Sequence, residues 1–138
     1  MKKIKLFLTY QFPAILWMAI IFYFSSLQHF TISENSTLDF IIFKGLHAVE
    51  YAFLYFLIFR AYLPINLPDS DKLKYAFILS ILYAVSDEVH QTFVPTREGV
   101  PRDIIIDSAG ILIIYIFPAI PHTLVLYKPY VTEFLQNG

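Results

Sequence analysis

The sequence predicts an all-α, single-domain protein, residues 1–138, that crosses a membrane four times. Three observations favour this fold class: 57% of the residues are hydrophobic, only 15% are charged, and the mean hydropathy is +0.60. An ordinary soluble domain has about 25% charged residues. The formal net charge of -1 offers no basic surface for DNA or RNA, so nucleic-acid binding is excluded. The absence of cysteine excludes disulfides and thiolate metal sites.

The four spans follow from the apolar segments of the chain. A hydrocarbon core needs roughly 20 residues of helix, and apolar segments of this length lie at about 6–27, 41–63, 74–94 and 102–121. Pro13, near the start of the first span, predicts a kink. This span lacks a small-x-small cleavage site, so we expect it to be retained rather than removed as a signal peptide. Residues 122–138 are expected to lie at the membrane interface or in the cytoplasm.

The basic residues predict the orientation of the spans, because cytoplasmic segments of membrane proteins carry an excess of Lys and Arg. With both termini in the cytoplasm, the inner segments hold Lys2, Lys3, Lys5, Arg60, Lys72, Lys74 and Lys128, whereas the outer side holds only Lys44, Arg97 and Arg102. In this topology, the polar parts of the second, third and fourth spans all lie in the outer half of the membrane. A site formed by them is expected to face the extracytoplasmic side.

Helical spacing groups the polar side chains of these three spans into stripes, because residues three or four positions apart share a helix face. The stripes are Lys44, His47 and Glu50 or Tyr51; Asp87, His90 and Gln91, flanked by Glu88; and Asp103, Asp107 and Gly110. An ionised group inside a membrane costs about 2.5 to 3.5 kcal/mol on insertion scales, so we expect the stripes to surround one pocket. Glu50 is expected to lie deepest, and Gly110 to let a neighbouring helix approach closely.

Several segments resemble the VanZ-like family of bacterial membrane proteins. They are "FYFSS" at the end of the first span, "KGLHAVEYAFL" in the second, and "SDEVHQTFVPTREGVPRDIIIDSAGILI" across the third and fourth. The resemblance implies a multi-pass protein of the bacterial cytoplasmic membrane with four transmembrane helices. It also implies a link to resistance against the glycopeptide antibiotic teicoplanin, without a settled biochemical reaction.

The residue types of the predicted pocket favour acid–base chemistry or ligand binding. The candidates for catalysis are His47, Glu50, Asp87, Glu88 and His90. The candidates for ligand binding are Lys44, Tyr51, Gln91, Arg97, Arg102, Asp103 and Asp107. Imidazole and carboxylate groups also suit a divalent metal, but the spacing is a weak signal and we assign no metal site. The structural alternative is a buried hydrogen-bond network that tethers the helices.

The three outer basic residues, Lys44, Arg97 and Arg102, are expected to ring the mouth of the pocket. At headgroup height, guanidinium groups bind phosphate through two parallel hydrogen bonds. The alternative is an ordinary loop in which these bases neutralise Glu98 and Asp103.

Two functional hypotheses of different classes follow. In the first, the pocket binds, and in an enzymatic version modifies, an anionic outer-leaflet lipid or a lipid-linked cell-wall precursor, with Glu88 or His90 as acid or base. In the second, the chain is a non-catalytic membrane factor that protects envelope components by binding, and the polar cluster is structural. A proton-coupled transporter is disfavoured because the inner halves of the spans lack ionisable groups. The sequence identifies no cofactor and no protein partner, and it leaves open whether the chain is an enzyme.

Overall fold

The computed structural model describes residues 2–28, 36–95, 97 and 99–117, and every regular element within them is a helix. The prediction of an all-α fold is therefore confirmed. The N-terminal helix consists of α1 (Lys2–Leu6), a π-helical turn (Phe7–Gln11) and α2 (Phe12–Ser25); it is followed by α3 (Ser36–Tyr62), α4 (Asp69–Gln91) and α5 (Pro101–Ile116). The predicted C-terminal segment, residues 122–138, lies outside the described residues, as do Glu98 and the end of the fourth predicted span.

Two of these helices have the length and composition to cross a membrane. They are Lys3–Ser25 and Thr37–Tyr62, which contain 18-residue windows with a mean hydropathy of 1.6 and 1.5. α4 carries charged residues near both of its ends, and the described part of α5 has 16 residues. By length and composition alone, α4 and α5 are thus not distinguished from helices of a soluble protein.

The π-helical turn lies immediately before Pro13 and is explained by it. Proline has no backbone N–H, and its ring clashes with the carbonyl four residues earlier, so a regular α-helix cannot continue unchanged through it. Here the backbone N–H of Phe12 donates instead to the carbonyl of Phe7, five residues back. A π-turn is one of the known causes of a helix kink. The irregularity lies where the sequence predicted one.

α3 lies at the centre of the packing. Its inward face is buried by the other helices through Tyr51, Leu54, Tyr55 and Phe59, each with no exposed surface. α3 and α5 approach so closely at Gly110 that a β-carbon there would lie 2.0 Å from the backbone oxygen of Ala48. The prediction that Gly110 permits a close helix contact is confirmed.

The surface of the described residues is strongly apolar, while several charged groups are buried. Large apolar side chains are exposed on each of the four helical rods, for example Leu16, Val49, Leu82 and Ile113. In a water-soluble monomer, contiguous apolar patches of this kind are rare. The distribution is consistent with a membrane protein.

The turn between α3 and α4 is fastened by a fully buried lysine. Lys72 has no exposed surface, and its ammonium group donates to the backbone oxygen of Leu63 at 3.4 Å and to the carboxylate of Asp69 at 3.1 Å. A cation near the C-terminal end of a helix is favoured by the helix dipole. Lys72 therefore binds the end of α3 to the first turn of α4.

Candidate functional site

Asp87 connects α4 to the end of α2. Its carboxylate oxygen Oδ2 accepts hydrogen bonds from Ser25 Oγ at 2.8 Å and from Gln91 Nε2 at 2.9 Å. Asp87 and Gln91 lie one helical turn apart and are both buried, as their spacing predicted. The hydroxyl of Tyr51 on α3 is buried beside the same carboxylate and interacts with it.

Glu88 connects the end of α4 to the beginning of α5. Its Oε2 accepts a hydrogen bond from the backbone N–H of Val100, the residue that precedes α5, at 3.1 Å. A negative charge is favoured at a helix N-terminus. The connecting loop is packed tightly there, because a β-carbon on Gly99 would lie 2.3 Å from the backbone oxygen of Glu88. Glu88 thus holds this loop against α4.

The polar stripes of α3 and α5 face each other. Lys44 Nζ forms an ion pair with Asp103 Oδ2, and Arg102 Nε approaches Asp103 Oδ1 at 3.4 Å. One turn deeper, His47 Nδ1 lies 3.7 Å from Asp107 Oδ1. Asp103 and Asp107 are buried, and Asp107 interacts electrostatically with the carboxylates of α4. Two of the three bases predicted to ring the pocket are therefore directed at one buried carboxylate.

Arg97 is bound to the C-terminal end of α2. Its Nε donates to the backbone oxygen of Leu27 at 2.9 Å, and one Nη donates to that of Phe24 at 3.0 Å. The last carbonyls of a helix lack intrahelical partners, and a cation is favoured beside them. Arg97, in the loop between α4 and α5, thus caps the C-terminal end of α2.

His90 lies on the α2 side of α4. Its Nε2 is 3.0 Å from Ser26 Oγ, and its ring stacks on Phe22 with centroids 4.3 Å apart. Glu88 points to α5 instead. The structure therefore does not bring the imidazole of His90 and the carboxylate of Glu88 into one arrangement, although the sequence hypothesis placed them in the same pocket.

A cavity of about 250 Å³ lies between α2 and α3, beside Arg97. Its polar wall consists of Ser25, His47, Glu50 and Arg97, and its apolar wall consists of Phe24, Leu27, Phe43 and Leu46. We call it the α2–α3 pocket. The side chains of Phe24 and Leu46 are about half exposed at the surface, so the pocket opens on the side of the helix bundle.

The carboxylate of Glu50 is a polar group of this pocket with free bonding capacity. It makes no hydrogen bond or ion pair with any residue of the described part of the chain, although it lies in electrostatic range of Asp87 and Arg97. The backbone oxygen of Glu50 accepts a hydrogen bond from Trp17 at 3.1 Å. This bond from Trp17 on α2 fixes the backbone of α3 at Glu50.

The sequence reasoning missed the contribution of the first helix to the site. Ser25 and Ser26 bond Asp87 and His90, and Phe24 and Leu27 form part of the pocket wall. A signal was present, because the two serines close the first span and therefore lie at the level of the polar end of the third.

No group of three or more His, Asp or Glu side chains within residues 2–28, 36–95, 97 and 99–117 is arranged to hold a metal ion. The α2–α3 pocket instead offers a positively charged donor, Arg97, and a carboxylate acceptor, Glu50, beside an apolar wall.

Comparison with known proteins identifies a family. A family model described as VanZ/LLP1 matches residues 10–121 of the chain. No curated protein and no solved structure matches.

Proposed function

The chain belongs to the VanZ/LLP1 family, and from this membership and the geometry of the α2–α3 pocket we propose that it binds a phosphate-bearing membrane lipid or lipid-linked precursor. Family membership suggests a membrane protein linked to glycopeptide resistance. Binding of such a lipid is the function that the pocket supports best. It does not require a chemical step.

We place all four helical rods across the bacterial cytoplasmic membrane, with both termini inside. The apolar surfaces of α4 and α5 support this, since Ile78, Leu82, Ile105 and Ile113 are more than half exposed. In water such surfaces are costly, at roughly 25 cal/mol for each Å² of apolar area. The excess of basic residues on the proposed inner side supports the orientation.

This topology places the α2–α3 pocket in the outer leaflet. The C-terminal end of α2 and the N-terminal part of α3 then both lie on the extracytoplasmic side, with Arg97 near the headgroup level. A lipid entering from the side would bring its phosphate to the guanidinium and its chains to the apolar wall.

One observation carries the proposal: the pocket combines an arginine and an unbonded carboxylate with apolar side chains, and it opens towards the side of the bundle. Arg97 donates two of its N–H groups to the backbone oxygens of Leu27 and Phe24, and a guanidinium has five N–H groups. The remaining donors suit a phosphate.

The proposal is tested by filling the pocket. In Leu46→Trp, the larger side chain occupies part of the cavity, whereas Val49→Trp adds the same side chain on an exposed face of α3 that does not line it. Each variant is purified in mild detergent with an added bacterial phospholipid extract, and bound phospholipid is measured by native mass spectrometry. We expect at least a tenfold loss for Leu46→Trp and no loss for Val49→Trp. Equal retention by the two variants would contradict the proposal.

A second candidate function is protection by binding alone, without catalysis. The observation that favours it is that Glu88 and His90, the candidate acid and base, are each engaged by another helix or loop, at Val100 and Ser26. On this hypothesis, these two side chains maintain the fold.

The conservative variants Glu88→Gln and His90→Gln distinguish protection from catalysis, because an amide retains hydrogen bonding but cannot serve as the acid or base. Cells that express each variant are compared for teicoplanin susceptibility with cells that express the unaltered chain. Unchanged protection supports binding alone. Loss of protection, with phospholipid retention intact, would establish a chemical role.

A further inference from the structure

The charge pattern of the α2–α3 pocket is mixed rather than basic. Lys44 and Arg102, the other two bases of the outer side, are paired with Asp103 between α3 and α5 and do not line the pocket. Arg97 is thus the one guanidinium of its described lining. The carboxylate of Glu50 lines the same pocket.

His47, the third ionisable group of the lining, does not change this balance. Its Nδ1 faces the buried carboxylate of Asp107 at 3.7 Å, so any positive charge on the ring is matched by that partner. Asp87, which interacts electrostatically with Glu50 from α4, adds negative charge behind the Glu50 wall. The pocket therefore has a positive side at Arg97 and a negative side at Glu50.

We infer that the pocket selects a phospholipid headgroup that carries both a phosphate and a primary ammonium group, as phosphoethanolamine does. This inference rests on the proposed function and names the class of lipid. The phosphate lies against the free N–H groups of Arg97, and the ammonium donates to the carboxylate of Glu50. Each charge of the headgroup then meets an opposite charge in a site of low water content, where such pairs are strong.

The size of the cavity agrees with this headgroup. The cavity volume of about 250 Å³ is several times the roughly 30 Å³ that one water molecule occupies in the liquid, so a small polar headgroup fits. The glycerol and acyl chains would leave along Phe24 and Leu46 to the surface.

A headgroup with a phosphate but no cation is a poorer match. Its phosphate could reach Arg97, but it would leave the carboxylate of Glu50 desolvated without a partner. An unpaired charge in such a place is expensive. The selectivity therefore depends on Glu50, and the general affinity for phosphate depends on Arg97.

The test uses the full-length protein in detergent and two short-chain lipids that differ only in the headgroup, dihexanoyl phosphatidylethanolamine and dihexanoyl phosphatidylglycerol. Dissociation constants are measured by isothermal titration calorimetry for the unaltered chain, for Glu50→Gln, and for the control Asp71→Asn at the opposite end of the bundle. Asp71 forms an ion pair with Lys74, one turn further along the same helix. A fourth titration uses free phosphoethanolamine.

We expect the unaltered chain and Asp71→Asn to bind the ethanolamine lipid at least tenfold more tightly than the glycerol lipid. Glu50→Gln should reduce this preference to less than threefold, mainly by weakening the ethanolamine lipid. Free phosphoethanolamine should bind at least tenfold more weakly than its lipid, because it lacks contacts with the apolar wall.

The outcomes separate this inference from the proposed function. If neither lipid binds, the proposed function fails. If both lipids bind equally, or if Glu50→Gln keeps the preference, the proposed function stands and the inferred selectivity is wrong. Free phosphoethanolamine binding as tightly as the lipid would overturn the assignment of a lipid as the ligand.

Discussion

Replacing Gly110 by alanine should separate α3 from α5. A β-carbon at this position would lie 2.0 Å from the backbone oxygen of Ala48, 2.7 Å from its carbonyl carbon and 3.0 Å from its Cα. All three atoms belong to the backbone, so no side-chain rotation relieves the overlap. Since a real β-carbon keeps at least 3.0 Å from such an oxygen, the two helices must move apart by about 1 Å along this contact.

The chain offers a matched control in Gly45, which lies in α3 with no atom within 4 Å of an added β-carbon. There, glycine to alanine should stabilise the helix by roughly 0.5–1 kcal/mol. Overpacking of a close contact typically costs about 1–3 kcal/mol. Because alanine favours the helix at both positions, this gain cancels, and the two variants should differ in the free energy of unfolding by the overpacking cost, about 1–3 kcal/mol, although they make the same chemical change.

Thermal unfolding of the purified proteins in detergent, followed by circular dichroism, measures the difference. With roughly 4 °C for each kcal/mol in a chain of this size, we expect the Tm of Gly110→Ala to lie about 4–12 °C below that of Gly45→Ala. Equal Tm values for the two variants would refute the close packing of α3 on α5 at this point.

Two further predictions concern the proposed inner side and the topology. Lys72→Met should lower the free energy of unfolding by about 1–3 kcal/mol, because it leaves the backbone oxygen of Leu63 buried without its donor. The side chain of Lys74 is 62% exposed, so the control Lys74→Met should change the free energy of unfolding by less than about 0.5 kcal/mol. Equal effects of the two variants in chemical denaturation would contradict the role of Lys72. Since the chain has no cysteine, a membrane-impermeant maleimide added to intact cells should label Gln28→Cys but not Ser70→Cys. Labelling of Ser70→Cys in intact cells would contradict the proposed orientation.

The helical fold was predictable because its signals are local. Runs of about 20 apolar residues predict long helices whatever their partners are, and Pro13 indicated the irregular turn in the N-terminal helix. Gly110 was recognisable because a small residue in line with Asp103 and Asp107 on the same face is typical of a close helix contact. The ends of helices were less predictable: α4 ends at Gln91, four residues before Pro95, since capping by loop residues is not visible in an apolar pattern.

The candidate site was predictable in its faces but not in its partners. The spacing of Asp87 and Gln91 correctly indicated two side chains that meet. The same spacing included His90, which instead contacts Ser26, the residue that follows α2. Partner choice depends on the rotation and tilt of each helix, and these are set by packing across the whole bundle. A sequence pattern gives only the position around one helix.

The polar network and the pocket are not alternatives, because the pocket depends on the network for its shape. Ser25 bonds Asp87 on α4, and Arg97 bonds the carbonyl of Phe24, so the end of α2 is held by polar contacts away from α3. The α2–α3 pocket is the space that remains. Loss of function in an Asp87 variant would therefore not distinguish a chemical role from collapse of the pocket. Variants at Leu46 and Glu50 do distinguish them, because these two side chains line the pocket and form no hydrogen bond with α2 in the described part of the chain.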